Sequence, residues 1–305
     1  MARQSRKVPD NQLPLLEDDR FTGSKIFNVA SVPQRSVFRY PGGKTWFVPY
    51  LRKWLRAFST MPDQLIEPFA GGGIVGLTAA FENLVQSVTF VERDPQIASV
   101  WHTILSADAS WLAAQIINFE LTAAKVDAVL GHSPASTREM AFQTILRNRV
   151  NRGGILATGA GRIKTGENGK GLNSRWYPQT LGKRILDIAA IKDRLRFIDG
   201  DGIKVMQENA SCATAVFFID PPYTAGGKRA GSRLYTYSEI DHEALFRTTE
   251  RLTGSFLMTY DDAEDVRKLA QAHHFSMKNI AMKTTHHSQM MELLISRRLD
   301  WLDLP

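Results

Sequence analysis

Short apolar runs alternate with longer amphipathic stretches along most of the chain. Apolar or β-branched runs predict buried strands at residues 65–66, 87–91, 215–219, 254–260 and 292–295. The spacing of apolar positions predicts helices at residues 74–84, 96–106, 137–150, 239–252 and 263–272. Strands that alternate with helices in this way favour an α/β fold built on a doubly wound sheet.

A glycine-rich turn separates the first predicted strand from the helix that follows it. The turn reads Glu67-Pro68-Phe69-Ala70-Gly71-Gly72-Gly73, and the next strand leads into Glu92-Arg93-Asp94. This order is typical of nucleotide-binding units, in which glycines let a ligand approach the backbone and the acid binds ribose hydroxyls. Because the turn is not GxGxxG and lacks a phosphate-loop lysine, a nucleoside without phosphates, such as S-adenosylmethionine, is the better candidate ligand. A turn with only structural duties is the alternative.

The alternation of strands and helices stops after residue 106 and resumes at residues 196–201. A single crossover helix needs far fewer residues than this interval contains, so the interval predicts an inserted subdomain. We therefore expect residues 31–106 and 196–305 to form the α/β domain and residues 107–195 to form a mainly helical insertion. Residues 1–30 mix charge, Pro and Asn with little periodicity, which indicates a flexible arm.

Basic and amide side chains are concentrated in the insertion, among glycines and the aromatic pair Trp176 and Tyr177. Such a surface suits contacts with phosphates and base edges, and a solvated basic loop is the alternative. Residues 224–232 form a second basic, glycine-rich stretch, which is either a loop that closes over a substrate or a long connection. The predicted DNA contacts are Arg147, Arg149, Asn151, Arg152, Arg162, Lys164, Lys170, Asn173, Arg175, Lys228 and Arg229.

The tetrapeptide Asp220-Pro221-Pro222-Tyr223 puts an acid, a rigid turn and an aromatic ring at the end of a predicted strand. An exocyclic amine of a base is a poor nucleophile while its lone pair is conjugated into the ring. A catalyst therefore gains by accepting hydrogen bonds from both N–H groups, one at the Asp220 carboxylate and one at the Pro221 carbonyl. Tyr223 offers a face on which a base rotated out of a duplex can stack. A capped strand with a Pro-Pro turn is the structural alternative.

The composition of the 305 residues is that of an ordinary globular protein, with a net charge of +7 that favours a polyanionic partner. A single cysteine, Cys212, excludes an internal disulfide framework and fits a reducing cytoplasm. No apolar run approaches the about 20 residues that cross a bilayer, and no signal-peptide core is present, so we expect a cytoplasmic protein without a membrane partner. The histidine pairs 273–274 and 286–287 lack ligand spacing, so no metal is expected.

Several of these motifs, taken in order from about residue 38 to residue 295, resemble those of the DNA adenine-N6 methyltransferases of the alpha, Dam-like class. Phe38-Arg39-Tyr40-Pro41-Gly42-Gly43-Lys44 resembles the family's amino-terminal cofactor motif, residues 67–73 match its glycine loop, and residues 220–223 match its catalytic motif. Residues 234–235, 241–242 and 257–261 are also similar to family positions. The resemblance implies a class I methyltransferase fold that methylates adenine N6 in double-stranded DNA by base flipping, with residues 107–195 as the target-recognition subdomain.

The same resemblance implies which residues bind S-adenosylmethionine. Lys44 and the glycine backbone before it would meet the methionine moiety, and Asp201 would contact the cofactor adenine. Glu92 takes the position of the ribose-binding acid, with Asp94 as the alternative. The full implied set is Tyr40, Pro41, Gly42, Gly43, Lys44, Glu67, Pro68, Phe69, Ala70, Gly71, Gly72, Gly73, Glu92, Arg93, Asp201 and Asp220. The implied catalytic residues are Asp220, Pro221, Pro222 and Tyr223.

The chain departs from the family at two points: Glu92 replaces the common Asp, and the basic loop after Tyr223 is not a fixed family feature. The sequence of the insertion also differs from that of the GATC-specific members, so GATC is not predicted as the recognition sequence of this chain. Cytosine N4 and RNA adenine remain alternative acceptors, because both present a similar amine. A protein-glutamine methyltransferase also acts on an amide nitrogen, but such enzymes typically have Asn at the position of Asp220. Asp220 therefore argues against this function. A DNA-binding module without catalysis is the alternative from another class.

Overall fold

The computed structural model describes residues 32–39, 43–157, 159–222, 240–283 and 289–304. Its strands are β1 (Gln64–Glu67), β2 (Ser87–Glu92), β3 (Leu195–Asp199), β4 (Ala215–Ile219), β5 (Ser255–Asp261), β6 (Ser276–Lys283) and β7 (Gln289–Ser296). In the described part of the chain they form one seven-stranded sheet in the order β3-β2-β1-β4-β5-β7-β6. Strands β1 to β5 pair in parallel, and β7 runs antiparallel to both β5 and β6.

Ten α-helices lie in the described residues. They are α1 (Val48–Arg56), α2 (Ile74–Phe81), α3 (Pro95–Leu105), α4 (Ala109–Asn118), α5 (Ala123–Leu130), α6 (Thr137–Val150), α7 (Pro178–Ala190), α8 (Gly202–Glu208), α9 (His242–Glu250) and α10 (Glu264–Ala272). Three acids that follow strands or loops cap the helices after them, because Asp94, Asp201 and Asp241 accept hydrogen bonds from first-turn N–H groups. None of these helices is long and apolar enough to cross a membrane.

The sheet is buried on both faces, as the continuous apolar run of β4 requires. Val216 and Phe218 point into one apolar cluster, and Phe217 and Ile219 point into another on the opposite face. The doubly wound class I methyltransferase fold predicted from the sequence is confirmed by this layering and by the strand order. Because β2 and β4 flank β1 on opposite sides, the winding direction changes at the carboxyl ends of β1 and β4, where such folds open a crevice.

The segment predicted as an insertion contains α4, α5, α6 and α7. These helices share the first apolar cluster with α3, so they pack on the sheet domain through a common core. Helix α7 approaches α4 closely at Gly182, where an added Cβ would lie 2.6 Å from Cδ1 of Ile117. The function of this segment in target recognition remains a prediction.

Candidate active site

A cavity of about 1020 Å³ opens at the carboxyl ends of β1, β2 and β4. Its walls come from three parts of the chain: the segment before α1, the loops that follow the parallel strands, and the region between α6 and α7. The residues that line it include Arg39, Lys44, Glu67, Gly71, Gly72, Gly73, Glu92, Arg93, Arg149, Arg175, Tyr177, Arg184, Asp201, Asp220, Pro221 and Pro222. The cavity therefore brings together most of the described residues that the sequence assigned to cofactor and substrate.

Asp220 lies directly after β4, and 23% of its side chain is exposed in the cavity. Its Oδ1 atom accepts a hydrogen bond from the Thr259 hydroxyl at 2.9 Å and lies 3.0 Å from Nζ of Lys44. Thr259 is fully buried on the neighbouring strand β5. These two donors on one oxygen fix the orientation of the carboxylate at the cavity surface.

Lys44 is buried between two carboxylates, since its Nζ also lies 2.8 Å from Oε1 of Glu292. Burial opposes the charge of Lys44, but the coulombic attraction and hydrogen bonds of Asp220 and Glu292 outweigh it and raise the pKa of the ammonium group. The resemblance assigned Lys44 to the methionine moiety and included Thr259 in the similar segment 257–261 without giving it a role, and Glu292 was not predicted as a site residue. The signal for Glu292 was an acid at the start of the apolar run Leu293-Leu294-Ile295.

Two side chains from other parts of the chain donate hydrogen bonds to backbone carbonyls of the glycine loop. Ser36 donates to the Gly72 carbonyl at 2.6 Å, and the Trp101 indole donates to the Gly71 carbonyl at 3.0 Å. Gly73 has φ +61°, and an added Cβ would lie 2.7 Å from the Trp101 ring, so this position requires glycine. These contacts fix the loop, and its glycines line the cavity.

Glu67 ends β1 beneath this loop, and its buried carboxyl group accepts a hydrogen bond from the Gly76 amide at 2.5 Å. Burial raises the pKa of Glu67 to about 8, and the charge of Asp220 adds to the rise, while the Gly76 amide opposes it. The group is therefore mostly protonated at neutral pH. Its carboxyl group contacts the start of α2, and Glu67 also lines the cavity.

Glu92 organises the turn after β2. Its two oxygens accept hydrogen bonds from the backbone amides of Gly71 at 3.1 Å, Arg93 at 2.9 Å and Asp94 at 3.0 Å. Burial raises the pKa of Glu92 to about 7, although these three amides favour the ionised form. A carboxylate has about four acceptor sites, so these three bonds leave about one for a ligand hydroxyl, and Glu92 lines the cavity.

Asp201 lies at the cavity edge after β3. Its Oδ1 accepts the backbone amides of Ile203 and Lys204 at 2.8 and 3.2 Å, which caps α8. The next residue, Gly202, lies against the Pro68 carbonyl, where an added Cβ would approach to 2.1 Å. This close contact joins the Asp201 turn to the glycine loop on one side of the cavity.

The predicted DNA contacts in the insertion fall into different environments. Arg152, Lys164, Lys170 and Asn173 are exposed. Arg147 donates to Gln96, Asn151 is buried and donates to Ile155 at 2.8 Å, and Arg162 forms an ion pair with Asp127. Arg149 and Arg175 line the cavity. The structure adds Arg39, Tyr177 and Arg184 to the same wall, although none of the three was among the predicted DNA contacts.

Some predicted residues lie outside the part of the chain that the structure describes. These are Tyr40, Pro41 and Gly42 of the amino-terminal motif, Tyr223 of the tetrapeptide, Lys228 and Arg229 of the basic loop, and the arm at residues 1–30. Gly43, Pro68, Phe69, Ala70 and Pro222 are described and line the cavity.

No protein-family model matches the chain, and no curated protein matches it. Among solved structures, the chain is similar to the rRNA methyltransferase aviRa from Streptomyces viridochromogenes, with 14% identity, a TM-score of 0.37, and coverage of 87% of this chain and 88% of that one. It is also similar to a methyltransferase from Geobacter sulfurreducens, with 10% identity, a TM-score of 0.38, and coverage of 86% and 81%. A third is precorrin-6y C5,15-methyltransferase from Geobacter metallireducens, with 11% identity, a TM-score of 0.35, and coverage of 81% and 86%. Because these TM-scores are low, the class I methyltransferase fold is assigned from the order of the strands in the sheet of this chain.

Proposed function

We propose that the protein transfers a methyl group from S-adenosylmethionine to the exocyclic N6 amine of adenine in duplex DNA. The observation that carries the proposal is the position of Asp220: its carboxylate is oriented by Lys44 and Thr259 and remains partly exposed in the cavity. The rigid Pro221-Pro222 pair follows it at once. A hydrogen-bond acceptor held in this way suits a planar amine that must be oriented for attack.

The residues present fit S-adenosylmethionine as the cofactor. The glycine loop borders the cavity without side chains, Glu92 keeps one acceptor site for a ribose hydroxyl, and Asp201 lies at the edge where a purine would meet backbone groups. The cavity of about 1020 Å³ is at the upper end of the range for ligand sites, which leaves room for a base beside the cofactor. The bound cofactor supplies an electrophilic methyl group on a sulfonium sulfur.

The residues of the chain contribute mainly orientation. Asp220 accepts a hydrogen bond from one N–H of the amine, and the Pro221 carbonyl accepts one from the other, which frees the nitrogen lone pair. The nitrogen then bonds to the methyl carbon as the carbon–sulfur bond breaks, and the amine proton leaves to solvent. In a duplex the amine is hidden by pairing, so the base must rotate into the cavity, and stacking on Tyr223 is the contact predicted from the sequence.

The test is to incubate the purified protein and S-adenosylmethionine with unmethylated bacterial DNA and, separately, with RNA transcribed in vitro. Nucleoside mass spectrometry should find N6-methyladenine in the DNA and none in the RNA, and Asp220→Ala should give none in either. N4-methylcytosine in the DNA would show that the acceptor is cytosine N4, and N6-methyladenine only in the RNA would show that the acceptor is an RNA adenine. If neither polymer is modified although S-adenosylhomocysteine binds, the proposal is wrong.

A further inference from the structure

Three arginines from separate parts of the chain meet in one wall of the cavity. Arg39 comes from the segment before α1, Arg149 from the last turn of α6 and Arg184 from α7, and all three line the cavity. We call them the arginine cluster. None of the three forms an ion pair with any described residue. Arg175 and Tyr177 line the cavity beside them.

The arginine cluster is built into the fold. The backbone of Arg39 is clamped by Asn148, which accepts from its amide at 2.9 Å and donates to its carbonyl at 2.8 Å. Arg184 donates to the Ser36 carbonyl at 3.0 Å, and Arg149 donates to the Val37 carbonyl. The guanidinium groups of Arg149 and Arg184 are thus attached to the segment at residues 36–39, and Arg39 is held in that segment through its backbone.

Arg149 is the member of the arginine cluster whose burial costs the most free energy. It is only 4% exposed, and its buried Nε atom has no hydrogen-bond partner among the described residues. Burial lowers the pKa of Arg149 to about 9, and the like charges of Arg184 and Arg39 lower it further. Holding like charges together in a buried wall costs free energy unless an opposite charge joins them. These like charges lie at the cavity, where a bound anion can offset their repulsion.

We infer that the arginine cluster binds one backbone phosphate of the nucleic-acid strand that carries the target base. Arginine suits this ligand because its planar group donates two parallel hydrogen bonds to phosphate oxygens. The cluster shares the cavity with Asp220, so a phosphate held there would anchor the strand while the base reaches the carboxylate. Tyr177 is 49% exposed beside the cluster and offers a face for an adjacent base.

This inference rests on the proposed function only for the identity of the ligand. The carboxylate of the cofactor is the other anion available in the cavity. The glycine loop, Glu92 and Asp201, which fit the cofactor, belong to the loops after β1, β2 and β3, whereas Arg149 and Arg184 come from α6 and α7. Arg149 and Arg184 therefore lie on elements that the cofactor residues do not use, which favours the nucleic acid as the source of the anion. Arg39 belongs to the segment that resembles the cofactor motif, so competition with S-adenosylhomocysteine distinguishes the two sources.

The experiment measures thermal unfolding while inorganic phosphate replaces chloride at constant ionic strength, with and without saturating S-adenosylhomocysteine. Arg184→Met removes one partly exposed member of the cluster, and Arg56→Met removes an exposed arginine of α1 that does not line the cavity. We expect a saturable rise in Tm for the wild type and for Arg56→Met, whether or not S-adenosylhomocysteine is bound. Arg184→Met should weaken the apparent phosphate affinity by about tenfold or more, since it removes a charged hydrogen-bond donor.

A second arm adds a short DNA duplex, which should displace inorganic phosphate from the wild type, whereas the same duplex with neutral methylphosphonate linkages should not. Competition between phosphate and S-adenosylhomocysteine would assign the arginine cluster to the cofactor carboxylate and overturn the inference. A Tm that rises linearly with phosphate and equally in all three proteins would also overturn it, because salts that are excluded from protein surfaces have this general effect. Neither arm requires turnover, so the methyl-transfer proposal can fail while this one stands.

Discussion

Nζ of Lys44 lies 3.0 Å from Oδ1 of Asp220, so the cation of the amino-terminal motif contacts the acid of the tetrapeptide directly. The two residues are 176 positions apart in the chain. Lys44 also pairs with Glu292 on β7, so one buried ammonium connects the segment before α1 to two parts of the sheet. This contact gives Lys44 a second role besides the predicted one: it fixes the Asp220 carboxylate, which we propose orients the amine.

Lys44→Met should destabilise the protein strongly. The substitution leaves the buried Glu292 and the half-buried Asp220 without their shared cation, and breaking a buried pair by removing one partner costs roughly 3–5 kcal/mol. Urea unfolding measures the loss. The double variant Lys44→Met/Glu292→Gln should recover part of it, because it also removes the buried negative charge that Lys44 attracts. Equal stability of Lys44→Met and the wild type would show that the ion pair contributes little.

Asp220→Ala should abolish methyl transfer while leaving cofactor binding largely intact. The variant removes the acceptor for one N–H of the amine, and the loss of such a positioned group reduces rates by roughly 10² to 10⁴. Single-turnover transfer to DNA and the Kd of S-adenosylhomocysteine, measured on the same protein, separate the two effects. Near-normal turnover would refute the proposed role of Asp220. Loss of cofactor affinity as large as the loss of rate would instead assign Asp220 to cofactor binding.

Thr259→Val should lower kcat by about tenfold and leave the cofactor Kd unchanged. Valine keeps the shape of threonine but removes the hydroxyl that donates to Asp220, and such a hydrogen bond to a charged group contributes about 1.5–3 kcal/mol. Thr259→Ser keeps the hydroxyl and serves as the matched control. If Thr259→Ser is impaired as severely as Thr259→Val, packing of the missing methyl group, and not the hydrogen bond, determines the rate.

The sequence predicted the parts of the fold whose periodicity is local. The limits of α6 and β4 agree with prediction. Strand β4 is a continuous apolar run, and the start of α6 is marked by Ser136, whose hydroxyl accepts from the Glu139 amide. Strand β6 was missed, since neither alternate set of its residues, Ser276-Lys278-Ile280 or Met277-Asn279-Ala281, is uniformly apolar. Among the described strands it lies at the edge of the sheet and pairs with β7 alone, so its place depends on a partner and not on its own pattern.

The chemistry of the site was predicted where it follows from a motif and missed where it depends on packing. Asp220 and the glycine loop are motif residues, and the structure brings them to one cavity. Thr259 and Glu292 contact Asp220 and Lys44 from β5 and β7, and these contacts depend on how the strands pair in the sheet, although Thr259 lies in a family-like segment and Glu292 begins an apolar run. Arg149 was predicted to contact DNA from an open basic surface, whereas it lies buried in the cavity wall beside Arg184. Its burial could not be read from α6 alone, since it depends on α7 and on residues 36–39.

Glu67 predicts how stability changes with pH. Its pKa is raised from 4.5 to about 8 in the folded protein, so folding favours the protonated form. Between these two values the folded state holds more protons than the unfolded state, and the free energy of unfolding therefore falls as the pH rises. At one pKa unit per about 1.4 kcal/mol, the total fall from this group is on the order of several kcal/mol. Glu92, with a pKa of about 7, adds a change of the same sign at lower pH.

Glu67→Gln should remove the part of this pH dependence that Glu67 causes, because the amide oxygen can still accept from Gly76 but no longer ionises. Urea unfolding between about pH 5 and about pH 9 should give a shallower decline for Glu67→Gln than for the wild type, with the difference growing up to about pH 8. Glu82→Gln is the matched control: hydrogen bonding to Arg52 lowers the pKa of Glu82, so this acid is ionised throughout the range. It should lower stability by a constant amount without changing the slope. Parallel curves for Glu67→Gln and the wild type would mean that Glu67 ionises normally despite its burial.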